Sequence, residues 1–238
     1  MTKAFVLAAG MGTRLRPLTY NLPKPLLPVQ RKTGLFYVLE HLKSAGIKTV
    51  IINLHYLPEK ITRILGDGSR FNLRIKYSYE KQILDTGGGL KKVEYFLKDG
   101  AFIMYNCDVI CNVDLNKMMA YHRESGNKVT LLAGEDSHPR CLVVNGKGRV
   151  KGFTGAGGER GNYVFCGIHI IEPSIFGFIA PGKPVSIIDV YRNMIGKGIP
   201  IGIFRVRGSF WKEIGNMESY RAINKKDGLA GYDDGQRE

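Results

Sequence analysis

The sequence predicts an α/β fold with a mostly parallel sheet, helices on both faces of that sheet and a small β-rich insertion. Three observations favour this class. Strand patterns alternate with helical patterns along the first half of the chain, which is the order that builds βαβ units. Continuous apolar runs at Ala4–Ala9 and Thr49–Leu54 are typical of strands covered on both faces. A glycine-rich loop follows the first run, where open α/β sheets bind their ligands.

Apolar spacing and turn residues place the elements in order. Phe36–Ala45 has helical spacing and ends at Gly46, a typical helix stop. The Asn145-Gly146 dipeptide predicts a hairpin turn between Leu142–Val144 and Arg149–Phe153. The other expected strands are Leu73–Tyr79, Ala101–Tyr105, Lys128–Ala133, Tyr163–Ile171 and Ile201–Val206. The other expected helices are Pro58–Leu65, Leu90–Leu97, Leu115–Glu124, Pro173–Phe178, Ser186–Lys197 and one from about Asn216.

Length and composition predict one globular domain over residues 1–225, followed by a frayed tail over 226–238. The chain has 238 residues, of which 44% are apolar and 24% are charged, and these fractions exclude wholesale disorder. The tail is rich in Gly, Asp and Lys and has no apolar spacing. The apolar runs are too short to cross a membrane, so we expect a cytoplasmic protein with no membrane partner.

The charge balance indicates an anionic partner. Lys and Arg total 35 against 21 Asp and Glu, a formal charge of +14, which favours phosphorylated ligands. The basic residues are scattered, whereas nucleic-acid surfaces are usually clustered, so no nucleic-acid partner is expected. The five histidines are dispersed and the cysteines form no CxxC pair, so we expect free thiols and no zinc site. These cysteines are Cys107, Cys111, Cys141 and Cys166.

The loop after the first strand has the features of a phosphate site. Gly10 and Gly12 let backbone N–H groups approach an anion, and Arg14 follows at once. Lys24 lies between two prolines, which stiffen the chain around it. The loop is neither a Walker A motif nor a full dinucleotide fingerprint, since Leu15 occupies the third glycine position. A fixed ammonium beside amide donors suits a triphosphate.

The stretch Leu7–Val29, LAAGMGTRLRPLT…PKPLLPV, resembles the signature of the sugar-1-phosphate nucleotidyltransferases. The resemblance extends from Lys3 to about Ile223 and is greatest to short single-domain members, such as N-acetylmuramate-1-phosphate uridylyltransferase and mannose-1-phosphate guanylyltransferase. It implies a Rossmann-like nucleotide-diphospho-sugar transferase fold. It also implies an Mg²⁺-dependent enzyme that makes an NDP-sugar from an NTP and a sugar 1-phosphate. No C-terminal β-helix, and hence no acyltransferase activity, is expected.

The resemblance also implies roles for individual residues. Arg14 would clamp the leaving pyrophosphate, and Lys24 would contact the phosphates around the reacting α-phosphorus. Asp108 and Glu213 would hold Mg²⁺. Nucleotide contacts are expected from Leu7, Ala8, Ala9, Gly10, Gly12, Thr13, Glu80, Gly88 and Asn106. Sugar-phosphate contacts are expected from Arg140, Asn162 and Gly167.

Two of these motifs have other interpretations when the residues are taken alone. Asp108 follows an apolar strand, where an aspartate is either a metal ligand or a turn or helix cap. Three glycines at Gly87–Gly89 free the backbone for a flat ring or an anion, or simply form a flexible turn. Asp114 is expected to cap the following helix.

The chain departs from the family pattern at several positions. Cys107 replaces the usual Gly before Asp108, Glu213 replaces the usual Asp, and Asn216 replaces the usual Thr. The Glu-Lys-Pro motif whose lysine grips the sugar phosphate in many relatives is absent, and residues 154–158 take its place. Arg140, Lys151 and Arg160 are the candidates to neutralise that phosphate instead.

Two alternatives to the sugar-1-phosphate nucleotidyltransferase stay open. A cytidylyltransferase for a phosphorylated alcohol such as phosphocholine would need an aromatic cage for the quaternary ammonium. The residues to inspect for it are Tyr163, Phe165, Phe210 and Trp211. The other alternative is a relative that binds a nucleotide sugar without turnover. The sequence slightly favours UTP or GTP as the nucleotide and determines neither the sugar nor the oligomeric state.

Overall fold

The computed structural model describes residues 2–135, 141–154, 161–206 and 208–232. The chain divides into two compact units that it enters more than once. The first unit comprises Met1–Ile83, Tyr105–Asp114 and Gly208–Glu238, and the second comprises Leu84–Met104 and Leu115–Arg207. The single catalytic domain expected over residues 1–225 stays a prediction.

The strands are β1 (Lys3–Leu7), β2 (Pro28–Val29), β3 (Lys32–Thr33), β4 (Thr49–Leu54), β5 (Arg74–Tyr79), β6 (Phe102–Asn106), β7 (Val109–Cys111), β8 (Val129–Gly134), β9 (Leu142–Val144), β10 (Val150–Phe153), β11 (Val164–Ile171), β12 (Ile201–Arg205) and β13 (Trp211–Glu213). The α-helices are α1 (Gly34–Ser44), α2 (Pro58–Leu65), α3 (Asp85–Lys92), α4 (Glu94–Leu97), α5 (Leu115–Ser125), α6 (Ile187–Gly196) and α7 (Met217–Ile223). Short 3₁₀ helices lie at Thr13–Leu15, Lys24–Leu26, Ser69–Phe71 and Pro173–Phe178.

The first unit is built on parallel strands. β1 pairs in parallel with β4, which pairs in parallel with β5. β1 and β4 are apolar and buried because each is covered on both faces, as the continuous apolar runs predict. Helix α1 begins where the Thr33 side chain accepts a hydrogen bond from the Phe36 N–H at 3.4 Å. Two short antiparallel pairs complete the unit, β2 with β3 and β7 with β13.

The second unit contains both parallel and antiparallel pairs. β8 pairs in parallel with β12 and antiparallel with β11. β9 and β10 form the hairpin predicted from the Asn145-Gly146 turn. The α/β class with a mostly parallel sheet and a small β-rich part is therefore confirmed. None of the helices among the described residues is both long and apolar enough to cross a membrane.

The glycine run at Gly87–Gly89 lies inside α3, although the sequence predicts that this helix starts at Leu90. Glycine weakens a helix interior, so the run needs another stabilising interaction. The backbone of residues 183–187 supplies it by packing closely against the run. A Cβ on Gly88 would lie 2.5 Å from the Lys183 carbonyl oxygen, and one on Gly87 would lie 2.9 Å from that of Val185. The predicted single helix to Leu97 is also interrupted, at Val93.

Residues 226–232, the start of the tail that the sequence predicts to fray, form turns in the first unit. Successive turns follow α7, with the Gly228 N–H donating to the Lys225 carbonyl at 3.0 Å. Leu229 and Tyr232 pack against an apolar cluster of the first unit. Two apolar residues six and nine positions beyond the helix show no periodicity, so the local pattern did not reveal this contact. Residues 233–238 lie outside the described part of the chain.

A buried histidine of the second unit makes stability depend on pH. The His169 Nδ1 lies 2.7 Å from the Tyr191 hydroxyl, and burial lowers the pKa of His169 to about 3. In the unfolded chain the pKa of this ring has the ordinary histidine value of 6.5, whereas the folded chain keeps the ring neutral down to about pH 3. The contribution of His169 to stability is therefore complete above pH 6.5 and is progressively lost as the pH falls toward 3.

We predict that His169→Gln flattens the pH dependence of the free energy of unfolding between pH 6.5 and 4, measured by urea denaturation. Some dependence will remain, because burial also lowers the pKa values of His41 and His122. Tyr191→Phe is the matched control, since it removes the hydroxyl and leaves the histidine in place. The slope with Tyr191→Phe should match the wild type. Equal slopes for wild type and His169→Gln would contradict the assignment.

Candidate active site

The loop after β1 owes its conformation to Gly12. Gly12 has φ of 63°, in the left-handed region, and precedes the 3₁₀ helix that carries Arg14. The buried Thr19 hydroxyl donates to the Gly12 carbonyl at 2.8 Å. A Cβ on Gly12 would lie 3.0 Å from both the Lys24 Cβ and the Thr19 Cγ2. Gly12 is therefore required for the loop's own packing, whereas a Cβ on Gly10 would meet nothing within 4 Å.

Lys24 and Asp108 form an ion pair through Nζ and Oδ2. The two side chains are 14% and 10% exposed, so both charges are largely withdrawn from water and each compensates the other. Lys24 opens a short 3₁₀ helix after Pro23, while Asp108 follows the end of β6. The pair brings together the lysine and the aspartate that the sequence assigned to the phosphates and to the metal.

The β7–β13 pair brings Glu213 beside Asp108. Glu213 faces Val109 across the two strands, and the Ile214 N–H donates to the Asp108 carbonyl at 2.8 Å. Gly215 leaves room for the charged groups. A Cβ on it would lie 3.0 Å from Glu213 Oε1 and 3.7 Å from Arg14 Nη1. Arg14, Lys24, Asp108 and Glu213 therefore occupy one region of the first unit.

Two hydrogen bonds of Asn53, which the sequence pattern did not predict, hold the start of the loop. Asn53 interrupts the apolar strand β4, and its Oδ1 accepts a hydrogen bond from the Ala8 N–H at 2.8 Å. Its Nδ2 donates to Glu80 Oε1 at 2.7 Å, and both side chains are buried. Glu80 thus supports the loop through Asn53, and its expected contact with the nucleotide stays a prediction. An isolated polar residue at the end of a buried strand was the available signal.

The remaining first-unit residues expected to contact the nucleotide differ in exposure. Gly10, Thr13 and Arg14 are exposed, whereas Ala8 and Ala9 are buried. The Leu7 carbonyl accepts from the Cys107 N–H at 3.3 Å, and Asn106 is half-buried at the end of β6. The groups accessible to a ligand are therefore those between Gly10 and Arg14.

Cys107, which replaces the usual glycine, is not a nucleophile. Burial, reinforced by the negative charge of the adjacent Asp108, raises the pKa of the Cys107 thiol to about 12. The thiol is therefore neutral at physiological pH, and thiolate is the reactive form of cysteine.

Gly88 lies in the second unit, where its amide already has an acceptor. The N–H groups of Gly87 and Gly88 both donate to the Val185 carbonyl, at 2.8 and 3.2 Å. The run is therefore needed for packing within that unit. A base contact by Gly88 stays a prediction, and the flexible-turn interpretation is wrong because the run is helical.

The expected sugar-phosphate residues are also placed in the second unit where they are described. The Asn162 side chain makes two hydrogen bonds with the backbone of Val144. Its Oδ1 accepts from the Val144 N–H at 2.8 Å, and its Nδ2 donates to the Val144 carbonyl at 2.7 Å. Gly167 has φ of 71° and lies where the β11–β8 register shifts, so a glycine is favoured there. Arg140 and the candidate Arg160 fall outside the described residues. Lys151 is exposed on β10.

The aromatic residues proposed for a quaternary-ammonium cage have other partners. The Arg205 guanidinium lies 5.2 Å from the Tyr163 ring centroid, and Phe165 packs edge-on against His169. Phe210 packs edge-on against Tyr232. These contacts give the phosphocholine alternative no support.

Comparison with protein families matches residues 3–228 to the model described as nucleotidyl transferase. The chain is 30% identical to a UTP–glucose-1-phosphate uridylyltransferase of Synechocystis, over 92% of this chain and 61% of that protein. It is 32% identical to a mannose-1-phosphate guanylyltransferase of Mycobacterium tuberculosis, over 91% of this chain and 62% of that protein. The chain therefore spans about three fifths of the length of these curated relatives.

Solved structures show the same fold. HddC from Yersinia pseudotuberculosis superposes with a TM-score of 0.80 at 22% identity, covering 95% of this chain and 99% of that one. A UDP-glucose pyrophosphorylase in complex with UDP-glucose superposes with a TM-score of 0.79 at 20% identity, covering 94% and 97%. The expected fold is thereby confirmed.

We predict that Gly12→Ala lowers the free energy of unfolding by about 1–2 kcal/mol, the cost of a left-handed alanine, plus a contribution from the close contact with Lys24. Urea denaturation measures the change. Gly10→Ala, at the other glycine of the loop, is the matched control and should leave stability nearly unchanged. If both variants were equally stable, Gly12 would have no structural role.

Proposed function

The chain belongs to the nucleotidyl transferase family, and on this premise we propose that it transfers a nucleotidyl group from an NTP to a sugar 1-phosphate. An oxygen of the sugar phosphate attacks the α-phosphorus of the NTP, the bond to the β-phosphate oxygen breaks, and pyrophosphate leaves. The products are an NDP-sugar and pyrophosphate. The curated relatives named above carry the names of uridylyl- and guanylyltransferases for glucose 1-phosphate and mannose 1-phosphate.

One observation supports this proposal above the others. The glycine loop, two cationic side chains and two carboxylates converge in the first unit, although Asp108 and Glu213 are far from the loop in sequence. Phosphoryl and nucleotidyl transfer depend mainly on position and on charge stabilisation. Exposed backbone at Gly10 and exposed Arg14 suit the β- and γ-phosphates, and Lys24 suits the charge that develops around the α-phosphorus.

The proposed reaction needs neither a protein nucleophile nor a general base. A sugar phosphate is already ionised at neutral pH, so its oxygen attacks without losing a proton to the protein. The neutral Cys107 thiol beside the site agrees with a direct in-line displacement. Arg14 and Lys24 therefore act by withdrawing negative charge from the transition state and the leaving pyrophosphate.

The two carboxylates fit a magnesium ion. Asp108, directly before β7, and Glu213, at the end of β13, supply hard oxygen donors, and Mg²⁺ usually takes one or two carboxylates with phosphate and water oxygens. Among the described residues no group of three His, Cys, Asp or Glu side chains forms a metal site, which agrees with so small a protein ligand set. When bound, the ion would neutralise phosphate charge and orient the reacting groups.

The proposal also extends to the nucleotide and to the residues that bind the sugar phosphate. We favour UTP or GTP, in line with the names of the two curated relatives, and we keep Asn162, Gly167 and Arg140 as the proposed sugar-phosphate residues. A cytoplasmic location without nucleic-acid or membrane partners also stays a proposal.

The deciding experiment is a matrix of the four NTPs against a panel of sugar 1-phosphates and phosphocholine, scored by pyrophosphate release. We expect release to require both substrates, to be strongest with a sugar 1-phosphate, and to stop in EDTA. Asp108→Asn is the control that should abolish most of the release, because an amide is a poorer ligand than a carboxylate for a hard dication. Preference for phosphocholine, or binding of an NDP-sugar without release, would contradict the proposal.

We predict that Glu213→Asp keeps substantial activity, whereas Glu213→Gln loses most of it. The shorter carboxylate keeps the charge that Mg²⁺ needs, while the glutamine keeps only size and polarity. Titration of Mg²⁺ in both variants measures the effect. If Glu213→Gln needed no more Mg²⁺ than the wild type, Glu213 would not be a metal ligand.

A further inference from the structure

The short β7–β13 pair carries Glu213 and begins directly after Asp108, yet each strand has only three residues. A two-stranded ribbon of this length is not stable by itself in water. Its position must therefore be set by whatever packs against it. A segment that we call the C-terminal strap, Asn224–Tyr232, contacts Asn112 and Phe210, which flank this pair, and Gln30 in the turn between β2 and β3.

The strap is attached first to the turn between β2 and β3. The Gln30 N–H donates to Asn224 Oδ1 at 2.8 Å, and Gln30 Nε2 donates to the Lys225 carbonyl at 2.6 Å. Asn224 Nδ2 in turn donates to the Pro28 carbonyl at 3.4 Å. Pro28 begins β2, two residues after the short helix that starts at Lys24.

The second attachment of the strap is made through Asn112, which directly follows β7. Asn112 Oδ1 accepts from the Phe210 N–H at 2.7 Å, and the Asn112 N–H donates to the Phe210 carbonyl at 3.2 Å. These bonds extend the β7–β13 ladder by one residue pair. Asn112 Nδ2 donates to the Gly231 carbonyl at 3.3 Å, which joins the extended ladder to the strap.

Tyr232 makes the third attachment. Its ring packs edge-on against Tyr37 and Phe210, with centroid distances of 5.4 and 5.6 Å. It also packs against the apolar cluster that contains Ile110 and Ile214. Ile214 directly follows Glu213, and Ile110 lies two residues after Asp108. A shift of Tyr232 would therefore be transmitted to the backbone beside both carboxylates.

We propose that Tyr232 and Asn112 are positioning residues that set the relative placement of Asp108 and Glu213, and thereby the affinity of the site for its divalent cation. The inference rests on the proposed function, which makes these carboxylates the metal ligands. Both residues would act indirectly, through Phe210 and the backbone beside the carboxylates. Removing groups that hydrogen-bond directly to metal ligands typically changes metal affinity about 10- to 100-fold, and we expect the lower end of that range here because Tyr232 and Asn112 act through the intervening backbone.

The test is a titration of the full chain with Mn²⁺ in the absence of substrates. The electron paramagnetic resonance signal of the free ion measures how much Mn²⁺ remains unbound. Tyr232→Ala should weaken Mn²⁺ binding about 10-fold. Tyr232→Phe, which keeps the ring, should bind Mn²⁺ as the wild type does. Phe71→Ala is the matched control, because Phe71 packs edge-on against Phe36 in the same unit. It should lower thermal stability and leave Mn²⁺ binding unchanged. If Tyr232→Ala does not fold, Asn112→Ala takes its place, because it removes the other attachment of the strap beside β7 and should weaken Mn²⁺ binding in the same way.

The outcomes separate this inference from the proposed function. If Glu213→Gln loses Mn²⁺ binding while Tyr232→Ala binds as the wild type does, the inference is overturned and the metal site stands. If Phe71→Ala weakens binding as much as Tyr232→Ala, general destabilisation explains the effect and the inference is overturned. If wild type and Glu213→Gln bind Mn²⁺ equally, the metal assignment of the proposed function is wrong, and the inference fails with it.

Discussion

The buried ion pair of Lys24 and Asp108 is the interaction on which the rest of the candidate site depends. A carboxylate or an ammonium withdrawn from water without a partner costs several kcal/mol, on the order that would unfold a marginally stable domain. The loop, the proline-flanked lysine and the end of β6 must therefore meet. Gly12 permits that meeting because it lacks the Cβ that would press on Lys24. The same pair holds a cation and an anion where a charged substrate and a metal ion would need them.

An apolar cluster of the first unit holds the backbone on which the charged side chains are carried. The buried members include Leu15, Leu27, Ile110 and Ile214. Leu15 adjoins Arg14 and Ile214 adjoins Glu213, so each buried side chain anchors the backbone of an exposed or half-buried charged neighbour. Hydrophobic burial is non-directional, but it fixes the backbone from which the charged groups project. Electrostatic preorganisation at this site is thus a consequence of packing below it.

The glycines of the chain serve different purposes that a sequence pattern does not distinguish. Gly12 has a left-handed backbone and a close neighbour, whereas Gly10 has neither constraint and leaves exposed backbone for a ligand. Gly88 is needed because the Lys183 carbonyl approaches it closely. All three appear in the sequence as glycine-rich loop residues. The role of each depends on what lies against its missing Cβ.

The sequence by itself determined the elements whose signals are local. The buried strands, the helix at Pro58–Leu65, the Asn145-Gly146 hairpin and the glycine-rich loop after β1 follow from spacing over a few residues, because apolar periodicity records which face of an element is covered. Only the tertiary structure decided which distant groups meet. Lys24 forms an ion pair with Asp108, 84 positions away in sequence, and Asn53 accepts a hydrogen bond from Ala8, 45 positions away. The turns after α7 pack against the apolar cluster that contains Ile110 and Ile214. Such partners depend on strand register and packing, which a local pattern does not record.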